Sequence, residues 1–157
     1  MPAIRLARKG EGVRLSALCV RSKAHWGYDA AFMRMSAVAL QVSEADIAAG
    51  RVLVAEDDAE VPIGVASVVL DGEVADLDVL FVDPPAIGSG TGGALFRAAS
   101  RLAASLGAKR MTILADPNAA PFYERMGARF LRSAPSDAIP GRSLPLYEYD
   151  LSSEVIA

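Results

Sequence analysis

VDPPAIGSGTGGAL, which runs from Val82 to Leu95, is the stretch that decides how this 157-residue chain folds. Four glycines stand within the six residues from Gly88 to Gly93. Without side chains, the backbone of such a loop can approach a ligand closely, and successive N–H groups can converge on one anion. A helical pattern follows, and the first turn of a helix offers unpaired N–H groups to phosphates. The segment predicts a pyrophosphate site, and the alternative is a flexible loop without a ligand.

The hydrophobic periodicity on both sides of this loop predicts one α+β domain that spans residues 1–157. Asp71-Gly72 joins two strands as a hairpin, and Pro84-Pro85 ends the second of them because proline cannot donate to a ladder. The expected sheet is mixed, mostly antiparallel and flanked by helices. The predicted strands are 4–7, 52–55, 63–70, 73–82, 110–114, 130–132 and 146–151. The predicted helices are 11–23, 29–40, 91–106 and 116–126, with Asp29 as an N-cap and a further turn that opens at Ser43.

The glycine pattern also fits other nucleotide sites. Gly88 to Gly93 matches the dinucleotide pattern G-x-G-x-x-G, and Asp116 is an acid after the next strand. A tight hairpin, not a helical crossover, precedes the loop, and only about 40 residues follow Asp116, too few for a doubly wound sheet. A P-loop is excluded because no Gly-Lys-Ser/Thr follows.

The same segment resembles the acetyl-coenzyme A loop of the GCN5-related N-acetyltransferase (GNAT) superfamily, whose signature is Gln/Arg-x-x-Gly-x-Gly/Ala. Here it is Ile87-Gly88-Ser89-Gly90-Thr91-Gly92, with Ile87 in place of Gln/Arg, after Leu80-Phe81-Val82-Asp83-Pro84. Residues 116–127, DPNAAPFYERMG, are similar to the family stretch Asn-x-x-Ala-x-x-Phe/Leu-Tyr-Glu-Lys-x-Gly-Phe, with Asp116 at the Asn position.

The resemblance implies the GNAT fold, with an opening between the fourth and fifth strands that takes acetyl-coenzyme A as cosubstrate. Pantetheine would lie along main-chain groups of Leu80 and Val82, with Asn118 and Phe122 beside it. The amides of the four loop glycines would bind the pyrophosphate. The implied coenzyme-binding residues are Leu80, Phe81, Val82, Ile87, Gly88, Ser89, Gly90, Thr91, Gly92, Gly93, Asn118 and Phe122.

Two kinds of group are candidates for proton transfer. The alternation of a strand puts Val74, Asp76, Asp78, Leu80 and Val82 on one face, so two acids have apolar neighbours that would raise their pKa values. Asp76 falls where some family members carry a catalytic Glu, and the alternative is that both acids are solvated or bonded to neighbours. Tyr123 matches the family tyrosine that protonates the departing thiolate, and the alternative is a core tyrosine.

The acceptor is expected to bind at the turn between the first two helices. His25, Trp26 and Tyr28 flank Gly27 there and are the candidate substrate-binding residues, together with Asp78. A structural role, in which this turn packs onto the sheet, is the alternative. The family resemblance implies an amine acceptor, and we expect it to be a primary amine of a small molecule or peptide.

Composition excludes several classes. The net charge of −3 argues against nucleic acid as a partner, and no apolar run is long enough to span a membrane. Cys19 is the only cysteine, so no internal disulfide or common zinc site is expected, and no metal is required. The N-terminus lacks the apolar core of a signal peptide, which leads us to expect a cytoplasmic protein. A homodimer is an arrangement that the family resemblance allows.

The sequence therefore predicts an N-acetyltransferase that transfers an acetyl group directly, within a ternary complex. A non-catalytic acyl-coenzyme A sensor is the alternative, because Ile87 and Asp116 depart from the family pattern. A nucleotide-binding module is the third reading.

Overall fold

In the computed structural model, which describes residues 2–152, seven strands form one mixed sheet. They are β1 (Ala3–Leu6), β2 (Val52–Glu56), β3 (Pro62–Asp71), β4 (Val74–Val82), β5 (Arg110–Leu114), β6 (Arg129–Pro135) and β7 (Ser143–Asp150). Their order is β1-β2-β3-β4-β5-β7-β6, and only β4 and β5 are parallel neighbours. The predicted α+β fold with a mostly antiparallel sheet is confirmed.

Five helices flank this sheet within the described residues: α1 (Gly12–Ala24), α2 (Ala30–Ser36), α3 (Glu44–Ala48), α4 (Thr91–Ser105) and α5 (Ala120–Arg125). The predicted caps of α2 and α3 are present, since the Asp29 side chain accepts from the Phe32 N–H at 2.8 Å and Ser43 Oγ from the Asp46 N–H at 3.0 Å. No helix in residues 2–152 combines the length and apolar character needed to cross a membrane.

Two helices are shorter than predicted. The helix expected over residues 29–40 ends at Ser36, and the chain continues in tight turns such as the one closed by Leu40 N–H and the Ala37 carbonyl. These turns bury Leu40, which is 4% exposed. The last helix starts at Ala120 instead of residue 116, because Asp116 is held in a turn of its own by the Ala119 N–H.

Buried side chains form one cluster on each face of the sheet. The cluster on the α4 face includes Leu95, Phe96 and Met111, whereas the cluster on the α1 face includes Leu15 and Leu18. Side chains from the central strands β3 and β4 enter both clusters, so these strands carry the core on either side.

A bulge in β4 corrects the prediction that residues 74, 76, 78, 80 and 82 share a face. Val68 of β3 lies opposite Leu77, but the preceding Ser67 lies opposite Val79, so Asp78 is an extra residue in β4. A bulge reverses the alternation of side chains beyond it. Leu77 packs on the α4 face, and Leu80 and Val82 pack on that same face. Asp76, which alternates with Leu77, therefore lies on the opposite, α1 face.

Candidate functional site

The site is a cavity that opens where β4 and β5 separate. The two strands are paired only from Val74 to Asp76, opposite Arg110 to Thr112. Beyond this point a cavity of about 760 Å³ lies between them, a volume typical of small-molecule sites. The strands therefore separate as the sequence predicted, and β4 beyond Asp76 has a main-chain edge without a β5 partner.

The glycine loop forms one end of this cavity. Gly88 and Gly90 have φ values of +85° and +89°, a conformation that favours glycine, and Gly90 precedes the first turn of α4. The N–H groups of Gly88, Gly90, Gly92 and Gly93 donate to no acceptor within residues 2–152. A Cβ on Gly92 would lie 3.4 Å from the Phe122 ring. The N–H groups of these four glycines and the N-terminus of α4 thus lie at one end of the cavity, an arrangement that suits an anion.

Most of the predicted coenzyme residues line the cavity, and two brace the loop instead. The lining members are Leu80, Phe81, Val82, Ile87, Gly88, Gly90, Gly92, Gly93, Asn118 and Phe122. Ser89 and Thr91 are not among the lining residues, and their hydroxyls lie 2.8 Å apart in a hydrogen bond. Thr91 is buried, so this bond ties the loop to the start of α4.

Tyr123 is a buried tyrosine whose hydroxyl makes no hydrogen bond to any described residue. Its side chain lines the cavity and is only 6% exposed, and the hydroxyl oxygen itself is open to the cavity. Its ring packs against Phe122 and Phe96, with centroids 5.1 and 6.1 Å away. Burial raises the pKa of Tyr123, and the negative charges of Asp116 and Asp76 raise it further. The phenol is therefore protonated at neutral pH and free to donate.

Three carboxyl groups line another part of the cavity. Asp76 accepts a hydrogen bond from Thr112 Oγ1 at 3.0 Å, and Asp78 and Asp137 lie nearby. Burial raises the pKa of Asp76 despite the Thr112 bond, and the charges of Asp78 and Asp137 add to this effect. Asp78 is exposed, and partial desolvation, together with the charges of Asp46 and Asp137, raises its pKa. Asp76 can thus accept a proton at a higher pH than an ordinary aspartate.

A polar cluster around Asp116 joins the helices to the cavity. Its carboxylate accepts from Tyr28 Oη at 2.8 Å and Lys23 Nζ at 3.1 Å. It also accepts from the N–H and Nδ2 of Asn118 at 2.9 and 3.0 Å, and Arg142 Nη2 lies 3.8 Å away. Burial pushes the pKa of Asp116 upward, but these hydrogen bonds and the Lys23 charge outweigh it and lower the pKa. Asp116 is therefore an anion that fixes Asn118.

The predicted acceptor residues lie in different places. Trp26 is 45% exposed and lines the cavity. His25 contacts Trp26 edge to face, with centroids 5.6 Å apart, but is not a lining residue. Tyr28 stacks on Phe32 at 4.0 Å and reaches the cavity only through the Asp116 cluster. Of these three residues, only Trp26 lines the cavity.

Sequence reasoning missed several cavity residues. Asp137 and Arg142 come from the β6–β7 loop, and no local pattern sets them apart from other loop residues. Arg97 and Lys23 lie on α4 and α1, where a charge usually indicates a solvated helix face. Lys23 is the first residue of the turn, residues 23–28, where acceptor binding was predicted, but it was not among the candidate residues named there.

Comparison with known proteins assigns this architecture to a family. A family model described as an acetyltransferase (GNAT) domain matches residues 48–127, which are 80 of the 157 residues. A GCN5-related N-acetyltransferase structure from Rhodopseudomonas palustris, also described as "Aminotransferase, Class-II", is 26% identical over 96% of both chains, with a TM-score of 0.76. The PaiA N-acetyltransferase of Thermoplasma acidophilum in complex with coenzyme A is 15% identical, with a TM-score of 0.77 over 96% of this chain and 99% of that one.

A third similar structure is YncA, a putative acetyltransferase from Salmonella typhimurium with its cofactor acetyl-coenzyme A. It is 22% identical, with a TM-score of 0.68 over 96% of this chain and 94% of that one. No curated protein matches the sequence. The family model covers more than half of the chain, and the solved structures share its fold, so this chain belongs to the GNAT family of acetyltransferases.

Proposed function

We propose that this protein transfers the acetyl group of acetyl-coenzyme A to a primary amine of a small molecule or peptide, with both substrates bound together. The observation that carries the proposal is one cavity that holds free N–H donors at the glycine loop, an unpartnered phenol at Tyr123 and a carboxyl group of raised pKa at Asp76. Together they supply an anion site, a proton donor and a proton acceptor.

The glycine-loop end of the cavity fits coenzyme A. The N–H groups of the four glycines would hold the pyrophosphate, and Arg97 and Arg125 line the same cavity with positive charge. Arg97 Nη1 lies 3.5 Å from the place that a Cβ on Gly93 would take, so this cation is at the loop itself. The free edge of β4 from Leu80 to Val82 would accept the pantetheine arm as an added strand. Main-chain donors are independent of side chains, so Ile87 in place of Gln/Arg does not remove them.

The amine must lose a proton before it can attack. An alkylamine with a pKa near 10.4 is roughly 0.04% neutral at pH 7. Asp76 would take the proton, directly or through a water molecule, because its raised pKa suits a general base better than that of an ordinary aspartate. The amine nitrogen then forms the bond to the acetyl carbon, and the carbon–sulfur bond breaks.

Acetyl-coenzyme A supplies an activated thioester, and its sulfur leaves as a thiolate that needs a proton. Tyr123 would donate that proton, because its hydroxyl is protonated, unpartnered and within the cavity. The nitrogen loses two protons as it becomes an amide: one to Asp76 before the attack, and one as the tetrahedral intermediate collapses, which restores the proton that Tyr123 gave to the sulfur. Asp76 passes its proton to solvent, so the whole reaction releases one proton. The products are the acetylated amine and coenzyme A with a free thiol.

A calorimetric titration with acetyl-coenzyme A tests the proposal on a pair of matched variants. Gly90→Leu and Gly107→Leu both place a side chain at positive φ, +89° and +98°, where no atom lies within 4 Å of the added Cβ. Both variants therefore carry similar backbone strain. Only Gly90 lines the cavity. We expect Gly90→Leu to weaken binding at least about tenfold and Gly107→Leu to bind as the wild type does.

Turnover is then measured as release of free thiol in the presence of primary amines. Thiol release that depends on both substrates supports the transferase. Binding of acetyl-coenzyme A without release of its thiol in the presence of any amine tested would favour the sensor alternative. Equal binding by the wild type and Gly90→Leu would contradict the assignment of the loop.

A further inference from the structure

We propose that Gly64 of β3 is a positioning residue for coenzyme A, because its missing side chain lets the start of α4 lie close enough to the sheet to present the glycine-loop N–H groups. The inference rests on the proposed function, which assigns this loop to the coenzyme. It goes further by naming a residue that does not line the cavity and that acts on the coenzyme only through α4 and β4.

The backbone conformation of Gly64 does not require a glycine. Its φ lies outside the positive range that favours glycine, and it is paired on both sides, opposite Ala55 of β2 and Val82 of β4. A glycine inside a strand weakens that strand, and it often marks a place where another part of the molecule approaches closely. The reason for a glycine at this position is therefore space and not conformation.

The start of α4 fills the space beside Gly64. A Cβ on Gly64 would lie 2.7 Å from Leu95 Cδ1 and 3.1 Å from Thr91 Cγ2, both closer than ordinary contact between carbon atoms. Thr91 is 1% exposed and Leu95 is fully buried, so neither side chain can turn into solvent. The sheet offers no room on its own side, because the Phe81 carbonyl oxygen would lie 3.4 Å away. A methyl group at Gly64 would thus push the start of α4 away from the sheet.

A displacement of α4 would reach the glycine loop directly. Thr91 is the first residue of α4, and its hydroxyl lies 2.8 Å from that of Ser89 in a hydrogen bond. Gly90, which carries one of the free N–H groups, stands between these two residues. Hydrogen bonds weaken steeply as their distance and angle depart from the optimum, so a small movement of α4 would weaken several bonds to a pyrophosphate at once.

The same position also sets the distance between α4 and the free edge of β4. Val82 is the partner of Gly64 in the ladder, and Val82 Cγ2 lies 3.7 Å from the place that a Cβ on Gly92 would take. The strand proposed to accept the pantetheine arm and the helix proposed to hold the pyrophosphate therefore meet beside Gly64. A side chain at this position would change the distance between two parts of one bound coenzyme.

The test compares the affinity for coenzyme A, measured by calorimetry, in Gly64→Ala and in a matched control, Gly12→Ala. A Cβ on Gly12 would also crowd its neighbours, at 2.6 Å from Glu44 Oε2 and 2.9 Å from the Val42 carbonyl oxygen, but Gly12 begins α1 and does not line the cavity. We expect the Kd of coenzyme A to rise at least about tenfold in Gly64→Ala and to stay within about twofold of the wild type in Gly12→Ala. Urea unfolding checks that both variants fold and measures how much stability each has lost.

Removal of the two contacts should restore the affinity in steps. Leu95→Val removes the methyl group nearest to the new Cβ, and Thr91→Ser removes the other methyl group but keeps the hydroxyl that is bonded to Ser89. Gly64→Ala with Leu95→Val is also the variant to measure if Gly64→Ala alone does not fold, and it should bind coenzyme A about threefold more weakly than Leu95→Val alone. Addition of Thr91→Ser should abolish that difference.

Three results would overturn the inference and leave the acetyltransferase intact. The first is a Gly64→Ala protein that binds coenzyme A as the wild type does. The second is an equal loss of affinity in Gly12→Ala, because the affinity would then follow stability and not the position of α4. The third is a loss of affinity that Leu95→Val and Thr91→Ser together do not reverse. A wild-type protein that binds no coenzyme A would overturn both proposals.

Discussion

Removal of a single hydroxyl group separates the proposed chemistry from the stability of the fold. Tyr123→Phe deletes a phenol oxygen that has no hydrogen-bond partner within residues 2–152. The substitution therefore loses no hydrogen bond within the described chain, and the hydroxyl oxygen is open to the cavity, so no buried polar atom is left unpaired. The free energy of unfolding should change by less than about 1 kcal/mol. If Tyr123 donates the proton to the thiolate, kcat should nevertheless fall about 100-fold, at the low end of general acid catalysis.

General acid catalysis by Tyr123 should be modest. Burial raises the pKa of Tyr123, so the phenol is a weaker acid than a free tyrosine. A thiol has a pKa near 8.5, so its thiolate can leave without full proton transfer. The hydroxyl should act mainly in the transition state. An interaction made only in the transition state changes kcat and leaves substrate binding nearly unchanged. The affinity for acetyl-coenzyme A should therefore change less than about threefold.

Tyr147→Phe is the matched control. Tyr147 is also buried, at 2% exposure, but its hydroxyl donates to Glu124 Oε2 at 2.6 Å, and it does not line the cavity. Its loss should cost about 1.5–3 kcal/mol of unfolding free energy, as expected for a hydrogen bond to a charged group, with little change in kcat. Urea unfolding and steady-state thiol release measure the two quantities. A Tyr123→Phe enzyme that keeps a wild-type kcat, or that loses coenzyme affinity and kcat by equal factors, would refute the assignment.

Three further predictions concern carboxyl groups. Asp116→Asn should lower the unfolding free energy at pH 7 by about 1–3 kcal/mol, because it leaves Lys23 and Arg142 without their anion. The folded-state pKa of Asp116 is lowered, so urea unfolding should show that the difference from the wild type disappears as the pH falls through that pKa. Asp76→Asn should reduce kcat about 100-fold yet raise the unfolding free energy at pH 7 by up to about 1 kcal/mol. The folded-state pKa of Asp76 is raised, so ionised Asp76 destabilises the wild-type fold as the pH rises. Near pH 3, where Asp76 is protonated, the Asp76→Asn variant should be no more stable than the wild type. Glu11→Gln should destabilise at pH 7 by about 1–2 kcal/mol after allowance for solvent screening, and by much less at pH 2, because the hydrogen bond from Arg5 outweighs burial and lowers the Glu11 pKa from 4.5 to about 2. For each of the three variants, a change in unfolding free energy that is the same at neutral and at acid pH would contradict the linkage.

The part of the fold nearest the glycine loop was predictable because its signals are local. The strand before the loop and the helix after it were predicted within one residue at each end, and β5 matched at both ends. Glycines, prolines and a change of period act within a few residues, so a sequence shows them directly. The edge strand β6 was underpredicted, because its length depends on pairing with β7 and most of its residues are exposed.

The proposed acceptor end of the cavity was less predictable because it depends on distant parts of the chain. The residues after the bulge at Asp78, Val79 to Val82, are all apolar, so the sequence does not show that the side chains change faces there. Asp137 and Arg142 enter the cavity only because β6 and β7 pair beside β5. Contacts of this kind require the folded sheet, whereas sequence patterns report the immediate neighbourhood of each residue.

The bulge explains how one strand can serve both substrates. Before it, β4 turns Asp76 toward the α1 face; beyond it, Leu80 and Val82 turn toward the α4 face, where they pack with the helix that follows the glycine loop. A regular strand would put either the acids or these apolar side chains on the wrong face. The bulge also lies where β4 loses its pairing with β5, so the free edge begins beside the acids. The proposed acceptor and coenzyme sites would thus adjoin because of one inserted residue, Asp78, which the sequence analysis also placed among the candidate substrate-binding residues.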